Sequence, residues 1–320
     1  MIAINIALID CDMNRKKRKI FPTLTLMKLS AFLKKNGHKT NLLTPDEYIN
    51  NDLFTNYDKA FASCIFTENK SIAQKLAEMG VIVGGSGIDM TSRLPDEIEH
   101  VMPDYSLYGI YNTAYGFLSR GCPRQCPFCI VAKKEGAKSE KVADLTEWWN
   151  GQKNIKLLDP NILACEDCID LLSQLVDSNA VIDITQGADA RLLTEKNIEL
   201  LMAMKIKTIH FAWDSPNDTV IPQKLNFFKR HTKNLPSDYV HHKCYVLTNY
   251  WSTTKQDLYR IYWLRDNGFD PYVMIFDKPN APPVTKRIQR WCNNKFIFRS
   301  EPNFENYNKG ASKNDNTCKL

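Results

Sequence analysis

The feature that most constrains the fold is alternation: short β-branched runs take turns with segments of helical period along most of the 320-residue chain. Repeated strand–helix alternation leads to a parallel sheet covered by helices. Two stretches differ in rhythm. In the first, up to residue 108, Ile2–Asp10, Lys39–Leu43, Lys59–Phe66 and Val81–Val83 read as strands. Leu24–Lys35 has apolar residues at helical spacing and stops at Asn36-Gly37, a helix-ending signal. Ser71–Met79 reads as a helix ended by Gly80. A small doubly wound, Rossmann-like domain is expected over residues 1–108, with Leu94–Tyr108 as its connector.

In the second stretch, residues 109–300, the strand candidates are Ala114–Ser119, Ile155–Asp159, Val181–Gln186, Thr208–Asp214, His242–Asn249 and Pro271–Asp277. Helical patterns follow at Thr146–Trp149, Glu166–Leu175, Glu195–Met204, Pro222–His231, Thr254–Asn267 and Thr285–Cys292. Six βα units exceed a small open unit and fall short of the eight of a full barrel, so a partial (βα)6 TIM barrel is expected. Its active site belongs at the C-terminal strand ends, where the loops converge. Residues 301–320 are polar and aperiodic and read as a loose tail.

Composition narrows the class. Hydrophobic residues at 43% and charged residues at 24% match a soluble globular protein. No apolar run reaches bilayer length, and MIAINIALID lacks a basic leader and a cleavage site, so it reads as a first strand rather than a signal peptide. A cytoplasmic protein without membrane partners is expected. Ten cysteines in such a chain point to a metal site before disulfides. The formal charge of +6 suits an anionic substrate and equally suits ordinary solvated lysines.

The decisive segment is Ser119-Arg120-Gly121-Cys122-Pro123-Arg124-Gln125-Cys126-Pro127-Phe128-Cys129. Its C-x3-C-x2-C spacing puts three thiolates within eight residues, which suffices to wrap one face of an iron–sulfur cube. Gly121, Pro123 and Pro127 favour turns over helix. Three ligands leave one iron of a 4Fe-4S cluster open to a substrate or cofactor, as an open position does in catalytic zinc sites. A structural zinc site, within a nucleic-acid-binding module, is the rival; it would need a fourth Cys or His, and Cys165-x2-Cys168 is the nearest pair able to supply one.

This segment resembles the signature of the radical S-adenosylmethionine (SAM) superfamily, C-x3-C-x-aromatic-C after the first strand of a partial barrel, with Phe128 at the aromatic position. The preceding domain resembles that of the cobalamin-binding and methylthiotransferase branches. Thr113–Phe117, Leu157–Asn161 and Phe211–Asp214 resemble uncharacterised bacterial and phage radical SAM proteins. The resemblance implies that Cys122, Cys126 and Cys129 hold a 4Fe-4S cluster whose open iron chelates SAM. It implies reductive cleavage to a 5′-deoxyadenosyl radical and an electron donor such as reduced flavodoxin or ferredoxin. The substrate, whether RNA, peptide or small molecule, and the reaction after radical formation stay open. The methylthiotransferase group usually carries a further RNA-binding β-barrel, so a full member of that group is not expected.

The resemblance also implies SAM contacts at the strand ends. Family members often place Gly-Gly-Glu after the second barrel strand to hold the methionine amine; here Asp159-Pro160-Asn161 stands instead, and Asp159 or Asn161 would substitute. After the third strand, Gln186, Asp189 and Arg191 are candidates, the guanidinium pairing with the SAM carboxylate. The alternative for Asp189 and Arg191 is capping the next helix. Asp214, Asn249 and Asp277 end the later strands and suit either ribose or substrate binding or helix caps. Arg120, Arg124, Lys133, Lys134, Lys138 and Lys141 either guide an anionic substrate or form a solvated face.

In the first domain, Asp10-Cys11-Asp12 and Gly84-Gly85-Ser86-Gly87 lie where doubly wound sheets bind ligands. They leave cobalamin open, although the Asp-x-His-x-x-Gly signature is absent; docking of substrate is the alternative. A cobalamin-dependent radical methyltransferase is the corresponding second function. Cys64 and Cys244 read as core, and Cys318 as incidental.

Overall fold

The computed structural model describes residues 2–14, 21–50, 56–232 and 241–307. They form a mixed α/β structure in two compact units: Met1–Gln186 with Glu199–Lys205, and Gly187–Ile198 with Ile206–Leu320. No helix among the described residues is long and apolar enough to cross a membrane.

The first unit opens with β1 (Asn5–Asp10), α1 (Leu24–Lys35), β2 (Lys39–Leu43), α2 (Pro45–Ile49), β3 (Lys59–Ser63), α3 (Lys70–Glu78) and β4 (Ile82–Gly84). The strands pair in parallel in the order β2-β1-β3-β4. Strand alternation splits the central β1 between two cores. Ile6 and Leu8 join Leu26 and Leu29 of α1, while Ala7, Ile9 and Cys11 join Ala73 and Leu76 of α3. Helices therefore cover both faces, which is why β1 is apolar at consecutive positions. The sequence reading misses α2. Five residues are too few to show a period, but Thr44 and Glu47 cap each other and Pro45 occupies the first turn.

The expected connector is more ordered than its composition suggests. It contains α4 (Asp96–Glu99) and a 3-10 turn over Tyr105–Tyr108. The buried Tyr105 hydroxyl donates to Trp148 O (2.6 Å) and accepts from Tyr115 N (3.1 Å). Tyr108 donates to Asp10 Oδ2 at 2.6 Å. Glu99 binds Lys28 Nζ (2.8 Å) and Arg120 (3.0 Å). These ties fasten the segment to α1, to Asp10 and to the strands that follow.

The unit continues through β5 (Thr113–Gly116), β6 (Ser119–Arg120), α5 (Val131–Lys134), β7 (Glu140–Lys141), β8 (Asn154–Leu157), α6 (Cys168–Asp177) and β9 (Val181–Ile184). β8 pairs in parallel with both β5 and β9. The run expected as one strand, Ala114–Ser119, is divided: β5 stops at Gly116, and β6 pairs antiparallel with β7. The helix expected at Thr146–Trp149 is a single 3-10 turn over Leu145–Glu147, closed by reciprocal capping between Asp144 and Glu147.

After α7 (Glu195–Ala203) come β10 (Lys205–Ala212), α8 (Val220–His231), β11 (His241–Thr248), α9 (Thr254–Asp266), β12 (Asp270–Ile275), α10 (Pro283–Asn293) and α11 (Lys295–Ser300). β11 pairs in parallel with β10 and β12. Phe211, Cys244, Val246 and Val273 on these strands are buried, and Phe211 meets Phe228 of α8 edge-on at 5.1 Å. The tail expected from residue 301 is packed at its start. Phe304 and Tyr307 are buried, Phe304 lies 5.5 Å from the Trp291 ring, and Arg287 donates to Tyr307 O. Two aromatics in a polar stretch carry no period, so the sequence does not reveal this docking. Cys318 lies outside the described residues.

Candidate functional site

The cysteine loop leaves β6 and returns to β7, so a two-stranded ribbon closes its base: Ser119 pairs with Lys141 and Arg120 with Glu140. Cys122 N donates to Gly136 O at 3.0 Å. Gly121 has φ +90°, and a Cβ there would stand 1.9 Å from Lys138 O, so only glycine admits this approach. Gln125 adopts φ +47°, and Cys129 N closes a turn onto Cys126 O at 2.9 Å. Within this frame Cys122, Cys126 and Cys129 are half-buried, as is Phe128.

Arg120 steadies the loop from outside. Its guanidinium binds Glu135 (2.9 Å) and Glu99 (3.0 Å) and lies 4.2 Å from the Phe117 ring centre. Lys138 pairs with Glu166 and Glu140, and Lys141 with Asp144 and Asp170. Two of the lysines expected to guide an anion are thus met by local carboxylates, because acids from the β7 and α6 segments share that surface.

Asp159 and Asn161 follow β8 and reach this loop. Asp159 is buried and accepts three bonds: Leu118 N to Oδ1 (2.9 Å), and Ser119 N (2.5 Å) and Ser119 Oγ (2.6 Å) to Oδ2. Burial raises its pKa to about 6 against the pull of these donors. Its oxygens hold the strand that enters the cysteine loop. Asn161, 3% exposed, donates from Nδ2 to Cys122 Sγ at 3.6 Å, and its Oδ1 is buried without a hydrogen-bond partner. Its backbone carbonyl accepts from Ser139 Oγ at 3.0 Å. Sequence reasoning misses Ser119 and Ser139, since a serine that serves a distant side chain leaves no local pattern.

Gln186 is exposed. In the second unit Asp189 caps the turn over Ala190–Leu192 and binds Arg191 Nε at 2.7 Å, and Arg191 also reaches Asp218 at 3.2 Å. Asp214 is half-buried, and burial raises its pKa to about 6 despite Arg260 and Arg191. Asn249 and Asp277 are turn formers: both take positive φ, Asn249 donates to Phe276 O, and Asp277 accepts from Asn280. The strand ends near Asp214 are held by Arg260, which is wholly buried. It donates to the carbonyls of Trp213 (2.6 Å), Asp214 (2.7 Å) and Leu247 (2.9 Å) and to Asp257 Oδ1 (2.6 Å). Asp257 and Arg260 stand one helical turn apart on α9, which brings the carboxylate to the guanidinium.

The ligand edge expected in the first domain is filled by its own chain. Asp10 accepts from Thr23 and Tyr108; Asp12 accepts from Ile65 N, Phe66 N and Asn69. A Cβ at Gly85 would fall 2.3 Å from Cys64 O, and one at Gly87 2.8 Å from Phe66 O. The glycines thus admit the Cys64–Phe66 backbone rather than a phosphate. Cys11 and Cys64 are buried, and burial pushes the Cys11 thiol up to about 12.

Among the described residues, no three His, Cys, Asp or Glu side chains gather as ligands of a single metal ion. No family model matches the sequence, and no curated protein matches it. A solved structure of Streptococcus suis SuiB bound to precursor peptide SuiA overlaps 72% of this chain at 14% identity and a TM-score of 0.39. The chain spans 59% of the length of that protein. An overlap this loose carries no argument about fold or function.

Proposed function

We propose that the chain is a radical SAM enzyme in which Cys122, Cys126 and Cys129 hold a 4Fe-4S cluster. The observation that carries this reading is the C-x3-C-x2-C loop on a ribbon-closed base, backed by a buried amide against one of its sulfurs. The donor set suits the group: three soft thiolates. In a cube each sulfur meets its own iron, so the three need not converge on one point as the ligands of a lone zinc do. With SAM bound, the cluster would supply reductive cleavage of the sulfonium, the electron coming from reduced flavodoxin or ferredoxin.

The chain's own residues do the positioning. Asp159 and Arg120 fix the two ends of β6, from which the loop departs. Asp159 or Asn161, which follow β8, is the proposed holder of the methionyl ammonium, Asn161 being the one that touches Cys122. Phe128 lines the loop between the last two thiols. Arg191, with Gln186 and Asp189 as neighbours in sequence, remains the proposed partner of the SAM carboxylate, and Asp214 of its ribose. The parallel strands β5, β8, β9, β10, β11 and β12 belong to the partial (βα)6 barrel of this reading.

The test is anaerobic reconstitution with iron and sulfide, then dithionite reduction in the presence of SAM. 5′-Deoxyadenosine is expected from the wild type and lost in Cys126→Ala. A fully loaded cluster that yields none refutes the proposal.

A further inference from the structure

We infer that Asn161 sets the reduction potential of the cluster, its side-chain amide donating a hydrogen bond to the Cys122 sulfur. This rests on the reading that the three cysteines carry a cluster. The Nδ2–Sγ separation of 3.6 Å exceeds that of an N–H···O bond because sulfur is the larger acceptor. The residue is 3% exposed, and its backbone is held by Ser139 Oγ and Ala164 N on the carbonyl. It therefore cannot drift from the sulfur as a surface amide would.

The orientation of the amide follows from charge. A thiolate accepts and does not donate, so turning the amide over would set the carbonyl oxygen against negative sulfur. The donor-inward arrangement is the one that pairs opposite partial charges, and it leaves Oδ1 buried without a partner. Hydrogen bonds to cluster sulfurs draw off negative charge and favour the reduced state, which carries more of it. In an enclosed site that effect is strong. Asp159, two residues earlier, spends its three bonds on Leu118 and Ser119, so the same strand end both braces the loop and contacts a ligand atom.

The experiment compares full-length wild type, Asn161→Leu and Asn161→Asp after anaerobic reconstitution. Iron and sulfide are counted per chain. The cluster midpoint is then read by mediator titration with electron paramagnetic resonance, without SAM, at pH 9. Leucine removes the donor at similar volume; aspartate keeps the shape and offers oxygen and negative charge. Both midpoints should shift to more negative values, the aspartate variant further. A leucine midpoint equal to or above wild type overturns the inference while leaving the cluster reading intact. If the leucine variant loads no cluster, Asn161→Val, which also removes the donor without adding charge, decides in the same way. A wild type that assembles no four-iron cluster overturns the reading itself.

Discussion

Replacing Asp159 with asparagine removes one proton-binding site and leaves the shape of the side chain almost unchanged. The residue is 1% exposed, and burial carries its pKa from 3.8 up to about 6. At about 1.4 kcal/mol for each pKa unit, the ionised form costs the folded protein about 3 kcal/mol relative to the protonated form. The sign follows from counting protons. Below about pH 4 the folded and unfolded chains both hold the proton. Between about pH 4 and 6 only the folded chain holds it, so stability falls as pH rises through that window. Above about pH 6 the loss is complete. Urea unfolding of the wild type and Asp159→Asn, followed by circular dichroism at pH 4, 5, 6 and 7.5, isolates this site, because Asp214 and the other carboxyls titrate in both proteins. The stability of the wild type relative to the variant should drop by about 2 kcal/mol from pH 4 to 7.5, the unfolded carboxyl being already partly ionised at pH 4. A difference that is flat, or that grows with pH, would mean that the bonds from Leu118 and Ser119 outweigh burial, and would refute the reasoning.

Two other substitutions test how the loop and the strand ends are held. In Gly121→Ala the new Cβ meets Lys138 O at 1.9 Å and the residue must keep φ +90°, so the loop base has to open. Iron and sulfide content per chain after reconstitution should fall by about tenfold, the scale of damage to a metal's supporting contacts; full loading would contradict the role given to Gly121. In Arg260→Met three carbonyls lose their donor and the buried Asp257 carboxylate loses its cation, keeping the Ser252 hydroxyl. A loss of about 3–5 kcal/mol is expected by thermal or urea unfolding, and a loss below about 1 kcal/mol would show that the guanidinium is not what joins the ends of β10 and β11.

The helices and strands that pack through their own periodic faces were legible from the residues. α1 and β2 begin and end where the apolar spacing and the Asn36-Gly37 stop signal put them. Cys64 and Cys244 are buried within the strand patterns that predicted it. The three clustered cysteines were legible for the same reason: C-x3-C-x2-C is a local pattern, written in eight consecutive residues. Elements shorter than a period were not, which is why α2, the β6–β7 ribbon and the docked start of the tail escaped.

What the sequence determined by itself is the α/β alternation and the thiol-bearing loop, since both depend on neighbours along the chain. Which polar side chains serve that loop was decided only in three dimensions. Asp159 and Asn161 sit two residues apart in one motif, yet one is enclosed against Leu118 and Ser119 while the other touches Cys122. Their partners lie about forty residues away in the chain. A hydrogen bond depends on separation in space, which sequence spacing does not encode until the strands are paired.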